Sequence, residues 1–145
     1  MSTDISTLHT IETKVCTNCL QILALTEFIS VGVNKDGLAY HCKKCRSYRS
    51  KIHSLRTKYG LSMKDYEEML AAQNGTCMIC EKPETAKDSY GGIKMLAVDH
   101  EHSTGQIRGL LCSNCNRGLG FFQDDPDLLE LAANYLGFYK EHDTL

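Results

Sequence analysis

At 145 residues, with a net charge of −2, 42% hydrophobic residues and no Trp, the chain suits one modest domain or two very small ones with little core each. No stretch approaches the roughly 20 apolar residues of a membrane-spanning helix. The near-neutral average charge argues against nucleic acid as a partner unless positive charge is concentrated locally. The eight cysteines fall as Cys16/Cys19, Cys42/Cys45, Cys77/Cys80 and Cys112/Cys115, four CxxC pairs with none left over. The opening MSTDISTLHT has neither a basic nor an apolar signal region. The expected compartment is therefore the reducing cytoplasm, where such pairs hold metal rather than form disulfides.

Residues 1–13 are polar and irregular and are expected to form a flexible N-terminus. Residues 14–46 then contain a C-x2-C-x22-C-x2-C pattern, Cys16, Cys19, Cys42 and Cys45. Two thiolates from each of two tight turns suit one tetrahedral structural zinc, giving a zinc-ribbon-like module. Phe28 and Ile29 are candidate cover for that metal, and Asn34-Lys35-Asp36-Gly37 is a turn signal. Residues 47–75 are expected to form a basic helix and a linking helix. The basic run is Lys43, Lys44, Arg46, Arg49, Lys51, Arg56 and Lys58, with no acid among them. Tyr48, Ile52 and Leu55 recur at helical spacing within it. A solvated linker helix is the plain alternative, but the missing counter-charges favour DNA phosphates, with Arg108 and Arg117 counted among the DNA contacts. After Tyr59-Gly60, Ser62 and Asp65 stand in capping-box positions before the apolar stripe Met63, Tyr66, Met69 and Leu70. Asn74-Gly75 closes that helix.

Residues 76–145 open a second pattern at Cys77 and Cys80 that closes at Cys112 and Cys115. These four are expected to hold a second structural zinc around an inserted segment. Within it, 94–98 and 106–111 are expected strands joined by the Ser103-Thr104-Gly105 turn, forming a hairpin. Residues 116–122 suit a short helix. Asp125-Pro126 starts a terminal helix over 127–139, with Leu128, Leu131, Ala132, Tyr135 and Leu136 on its buried side.

The chemistry gathers in AVDHEHSTGQIRGLLCSNCN, residues 97–116. Each zinc site already has four thiolates and no open position, so neither zinc should be catalytic. Asp99 and Asn116 remain as oxygen ligands suited to a hard ion, Mg2+ or Mn2+. Asn116 directly follows the zinc ligand Cys115, so a rigid knuckle would fix its side chain. His100 is then placed to act as general base on a water, since imidazole titrates near neutrality. His102 is placed to bond a phosphate oxygen or orient the water. The bland alternative is a polar hairpin tip whose histidines are satisfied by solvent.

Three segments, YGLSMKDYEEMLAAQNGTCMIC, LAVDHEHSTGQIRGLLCSNCNRGLG and DDPDLLELAANYL, resemble the recombination endonuclease VII family of His-Me finger (HNH-type) nucleases. The N-terminal CTNC…HCKKC unit is similar to zinc modules that precede such domains in phage and bacterial proteins. The resemblance implies a small zinc-stabilised α+β fold with a ββα-metal core. In that core Asp99 and Asn116 hold the catalytic ion, His100 is the base, and Cys77, Cys80, Cys112 and Cys115 hold structural zinc. It implies a DNA endonuclease that leaves 5′-phosphate and 3′-hydroxyl ends, on branched or duplex DNA, in a bacterial or phage-infected cell. Leu119 stands where the junction-resolving member has an acidic residue. That member is a homodimer, an assembly that paired cuts across a junction would require here too. A non-catalytic zinc-dependent DNA-binding adaptor is the alternative function.

Overall fold

The computed structural model describes residues 12–142 and divides the chain into two compact units, with the boundary in sequence after Gly60. The basic helix thus belongs to the first unit and the capped helix to the second. The expected flexible N-terminus lies outside the described residues up to residue 11.

In the first unit β1 (Thr13–Val15) and β2 (Ile22–Ala24) pair antiparallel, and a 3-10 turn at Leu25–Glu27 follows. Their connection is the first knuckle. Its Leu20 takes a positive φ of 58°, which lets the Leu20 amide donate to the Cys16 carbonyl. The expected turn at Asn34–Gly37 is present, with Gly37 at φ 68° and Lys14 paired to Asp36 at 2.6 Å. The core is small: Phe28, Cys16, Cys42 and Cys45, with Leu23 and Leu38 packed against them. So few apolar side chains cannot offset the entropy of ordering this unit, which leaves the four thiols as its organising centre. Helix α1 (Lys43–Tyr59) leaves from the second knuckle and stops at Gly60, whose φ of 67° a side chain would resist.

The second unit begins with α2 (Met63–Ala72). Both capping-box bonds are made: Asp65 N–H donates to Ser62 Oγ at 3.2 Å and Ser62 N–H donates to Asp65 Oδ2 at 2.7 Å. Tyr66 is the buried residue of the helix, and its hydroxyl donates to the Leu96 carbonyl at 3.1 Å. β3 (Ala97–His100) and β4 (Ile107–Leu111) form an antiparallel hairpin. α3 (Ser113–Phe121) and α4 (Pro126–His142) follow. Val98, Leu110, Leu111 and Leu96 make the buried centre.

The strand and helix limits differ from the sequence expectation at instructive places. β3 begins three residues later than expected, because 94–96 are drawn away, Lys94 N–H donating to Ala86 and Leu96 C=O accepting from Tyr66. α3 begins inside the knuckle, since Cys112 itself is its N-cap and accepts from the Cys115 amide at 3.4 Å. The expected burial along α4 is not found. Leu131, Tyr135 and Leu136 are each about two-thirds exposed and Leu128 is over one-third exposed. Pro126 and Leu129 instead face a cavity beside the hairpin, because a two-stranded sheet offers too little surface to cover a 17-residue helix.

Candidate active site and metal centres

The first knuckle of each four-cysteine cluster uses the same local geometry. In the Cys77/Cys80 knuckle, Glu81 at φ 56° lets its amide donate to the Cys77 carbonyl, as Leu20 does for Cys16. The four sulfurs of Cys16, Cys19, Cys42 and Cys45 lie within 4.8 Å of one another, and so do those of Cys77, Cys80, Cys112 and Cys115. The Cys16–Cys45 and Cys80–Cys112 separations are both 3.8 Å, which is the edge of a tetrahedron with Zn–S bonds of about 2.3 Å. Both clusters could therefore hold zinc.

The electrostatics of these clusters ask for a cation. Burial opposes ionisation of Cys16, yet the amides of Cys19, Cys42 and Asn18 outweigh it and bring the thiol down to about 6. Cys77 is brought to about 6 against burial by the amides of Cys80, Cys112 and Ile79. Cys45 accepts a hydrogen bond from Asn18 that favours its thiolate, but burial and its three neighbouring thiols push it up to about 12. Burial and then its neighbours likewise push Cys115 up. A first thiolate in each cluster makes the next unfavourable, and a divalent cation removes that conflict.

The hairpin presents the candidate catalytic residues through an irregular register. Asp99 lies opposite Gly109 and His100 opposite Ile107, so Arg108 is the extra residue of a bulge. Gly109 packs closely there: a Cβ would stand 2.8 Å from Met78 Sδ, so the Met78 side chain would have to shift. The bulge turns Arg108 onto Asp99, with Nε–Oδ2 at 2.6 Å and Nη2–Oδ1 at 3.0 Å, a two-pronged pair. Nη2 also lies 3.4 Å from Asp124 Oδ1, and Nη1 lies 4.0 Å from Glu101 Oε2. Asp99 comes first among the groups that hold the Arg108 guanidinium charged well beyond its ordinary range. Asp99 is the one buried polar or charged residue among those described, 8% exposed. His100 is half-buried, and its ring lies 4.8 Å from that of exposed His102. His102 Nδ1 is 2.9 Å from Asp124 Oδ2.

Asn116 sits in the first turn of α3, half-buried, with its amide bonded to the Cys112 carbonyl at 3.0 Å. Asp99 and Asn116 supply only oxygen, the donor chemistry of a hard divalent ion. Arg108 engages one side of each Asp99 oxygen, and each oxygen keeps a second lone pair that could meet such an ion. Arg117 is exposed and folds back on Ser113 and Asn114. On α1, Lys44, Arg46, Arg49, Arg56 and Lys58 are exposed, while Lys43 and Lys51 are half-buried. Lys43 donates to the Thr26 carbonyl, and Arg49 lies 3.5 Å from His41 Nδ1. No basic residue of α1 meets a carboxylate among the described residues.

Three contributors are absent from the sequence argument. Glu84 accepts from Ser113 N–H and Ser113 Oγ–H, both at 2.7 Å, and so caps α3. Gln73 bonds the backbone of Leu110 in β4. Asp124, present there only as the first residue of the segment DDPDLLELAANYL, reaches His102 and Arg108. A cavity of about 320 Å³ opens beside Asp99, Arg108 and Asp124, walled by Met78, Ile79, Leu111, Leu119, Pro126 and Leu129.

Comparison with known proteins bears on this arrangement. The profile of the recombination endonuclease VII family matches residues 52–137. The Gene 59 protein of Mycobacterium phage D29 is 37% identical over 95 residues, covering 65% of this chain and 54% of that protein. The Gene 59 protein of Mycobacterium phage L5 is 34% identical over 102 residues, covering 68% of this chain and 58% of that protein. The chain thus spans a little over half the length of these curated relatives. Among solved structures, the ββα-Me type II restriction endonuclease Hpy99I aligns at 29% identity and a TM-score of 0.39, over 88% of this chain and 66% of that one. With the family profile matching more than half of its residues, the chain belongs to the recombination endonuclease VII family.

Proposed function

We propose that the chain is a divalent-metal-dependent DNA endonuclease that hydrolyses a phosphodiester bond at the tip of the β3–β4 hairpin. The observation that carries this reading is local: one four-cysteine cluster sets both the end of β4 and the start of α3, and so brackets Asp99, His100 and Asn116 in a single ββα unit. Asp99 and Asn116 would hold Mg2+ or Mn2+, which supplies charge stabilisation on the phosphate and the leaving oxygen. His100 takes a proton from water on a ring nitrogen. The water oxygen bonds to phosphorus as the bond to the 3′ oxygen breaks. That oxygen takes a proton from solvent, leaving 5′-phosphate and 3′-hydroxyl ends. His102 orients the attacking water. The two four-cysteine clusters, filled by zinc, hold the two units in shape, and the cations of α1 meet DNA phosphates.

Plasmid nicking with Mg2+, with EDTA and with His100→Ala tests the reading. Removal of the base is expected to slow cleavage by about 10²–10⁴-fold; full activity in His100→Ala refutes it. A non-cutting DNA-binding adaptor is the second reading, carried by the uncompensated charge of α1. It requires DNA binding in a protein that never nicks. Cleavage of a labelled four-way junction in excess duplex separates junction resolution, with symmetric cuts by a homodimer, from nicking of duplex. The site of action in this reading is the cytoplasm of a bacterium or phage-infected host.

A further inference from the structure

Asp124 lies outside the motif that carries the hairpin residues, yet its carboxylate is shared between two of them. Oδ2 is 2.9 Å from His102 Nδ1, and Oδ1 is 3.4 Å from Arg108 Nη2, the same nitrogen that reaches Asp99 Oδ1 at 3.0 Å. Asp99, Arg108, Asp124 and His102 thus form one continuous chain of charged and hydrogen-bonded groups. His102 is the exposed end of it, 72% accessible, while the Asp124 side chain is 20% accessible.

The backbone is shaped to deliver this carboxylate. Gln123 and Asp124 lie at φ 58° and 54°, two successive left-handed residues that are not glycine. L-residues resist that region, and Asn and Asp tolerate it best. The reversal follows from the end of α3, where Asp124 N–H donates to the Leu119 carbonyl. Capping of the next helix falls to Asp125, whose Oδ1 accepts from Asp127 N–H at 2.9 Å and Leu128 N–H at 3.2 Å. Asp124 is therefore not needed as a cap, and its side chain turns back to the hairpin. Strained residues of this kind collect at functional sites.

We propose that Asp124 is a positioning residue for the hairpin: it holds the proton of His102 on Nδ1, presents Nε2 outward towards the substrate, and restrains Arg108 against Asp99. An ionised carboxylate only accepts hydrogen bonds, so Nδ1 is the donor and Nε2 keeps its lone pair in the neutral ring. A carboxylate partner fixing ring orientation and tautomer is a general means of preparing an imidazole for chemistry. The role of Asp124 in cleavage rests on the nuclease reading; its hold on His102 does not.

Asp124→Gly is the informative variant, because glycine adopts the left-handed backbone freely and removes only the carboxylate. Measured in the full-length zinc-loaded protein, three results are expected. Nitrogen-15 NMR of the His102 ring, assigned with His102→Ala, shows the Nδ1–H tautomer in the native protein. In Asp124→Gly the ring shifts to the mixture of a free imidazole. Single-turnover cleavage slows about 10- to 100-fold with little change in melting temperature. The Asp124→Gly/His102→Ala double variant loses less than the product of the two single losses. An unchanged His102 tautomer, native cleavage rates, or strictly multiplicative losses would each overturn the proposal. If the native protein fails to cut DNA at all, the nuclease reading falls, while the NMR result still decides whether Asp124 orders His102.

Discussion

Gln73 is the residue whose loss should reveal how the hairpin is held to the second unit. Its side chain acts as a short strand partner for Leu110. Leu110 N–H donates to Gln73 Oε1 at 2.8 Å, and Gln73 Nε2 donates to the Leu110 carbonyl at 2.8 Å and to the Thr76 carbonyl at 2.9 Å. Leu110 is fully buried. In Gln73→Leu its carbonyl keeps the Met78 amide at 3.0 Å, but its own N–H is left without that acceptor. An orphaned buried donor costs about 1–3 kcal/mol, and each of the two other lost bonds adds about 0.5–1.5 kcal/mol. The sum is roughly 2–6 kcal/mol, a large share of the stability of so small a unit. Gln73→Glu keeps the acceptor for Leu110 N–H and sets a carboxylate oxygen against two carbonyls, so it should destabilise comparably despite its shape. Urea denaturation at saturating zinc measures the loss, and hydrogen exchange at the Leu110 amide localises it. A loss below about 0.5 kcal/mol, the range of an ordinary surface change, with Leu110 protection unchanged, would refute the reasoning.

Glu84 is held down to about 2; burial opposes this, but the Ala86 amide and the hydroxyl and amide of Ser113 outweigh it. Its folded value lies below its ordinary one of about 4.5, so its contribution is complete above that value and is lost as pH falls from about 4.5 towards 2. Chemical denaturation of the native protein and Glu84→Gln in parallel should show a stability gap that closes over this window; a gap independent of pH contradicts it. Metal analysis should find two zinc ions per chain, and one after Cys42→Ser, with hydrogen-exchange protection of β3 and β4 retained. Loss of that protection would mean the two clusters fold as one. Replacing Lys44 and Arg56 with Gln should lower the slope of log affinity for DNA against log salt by about one for each phosphate contact removed. An unchanged slope takes α1 out of the interface.

What the sequence revealed is what local chemistry dictates. Ser62 and Asp65 announced a capping box because its two bonds need only residues three apart. The four CxxC pairs announced two four-cysteine clusters because each tight turn brings its two thiols together. What stayed hidden depends on contacts distant in sequence. Asp124 is 22 residues from His102 and lies in an acidic stretch whose composition suggests solvation. Gln73 is 37 residues from Leu110, and its position at the end of α2 suggests nothing beyond a helix terminus. The left-handed turns of Leu20 and Glu81 carry no glycine to signal them. The terminal helix shows the converse failure: its apolar spacing is real, but spacing gives no information about how much surface is available to cover it.

With zinc in the second cluster, the first turn of α3 would couple the proposed site to the size of that metal. Cys112 caps the helix and Cys115 lies in its first turn, so the rotation of that turn about its axis is indexed to metal–sulfur bond lengths. Asn116, one residue further, inherits that index. Exchange of zinc for a thiophilic ion of larger radius would leave the fold intact and still turn the Asn116 amide away from its native aim. Under the proposed function, the geometry around Asn116 would in this sense be calibrated to the identity of an ion that takes no part in the reaction.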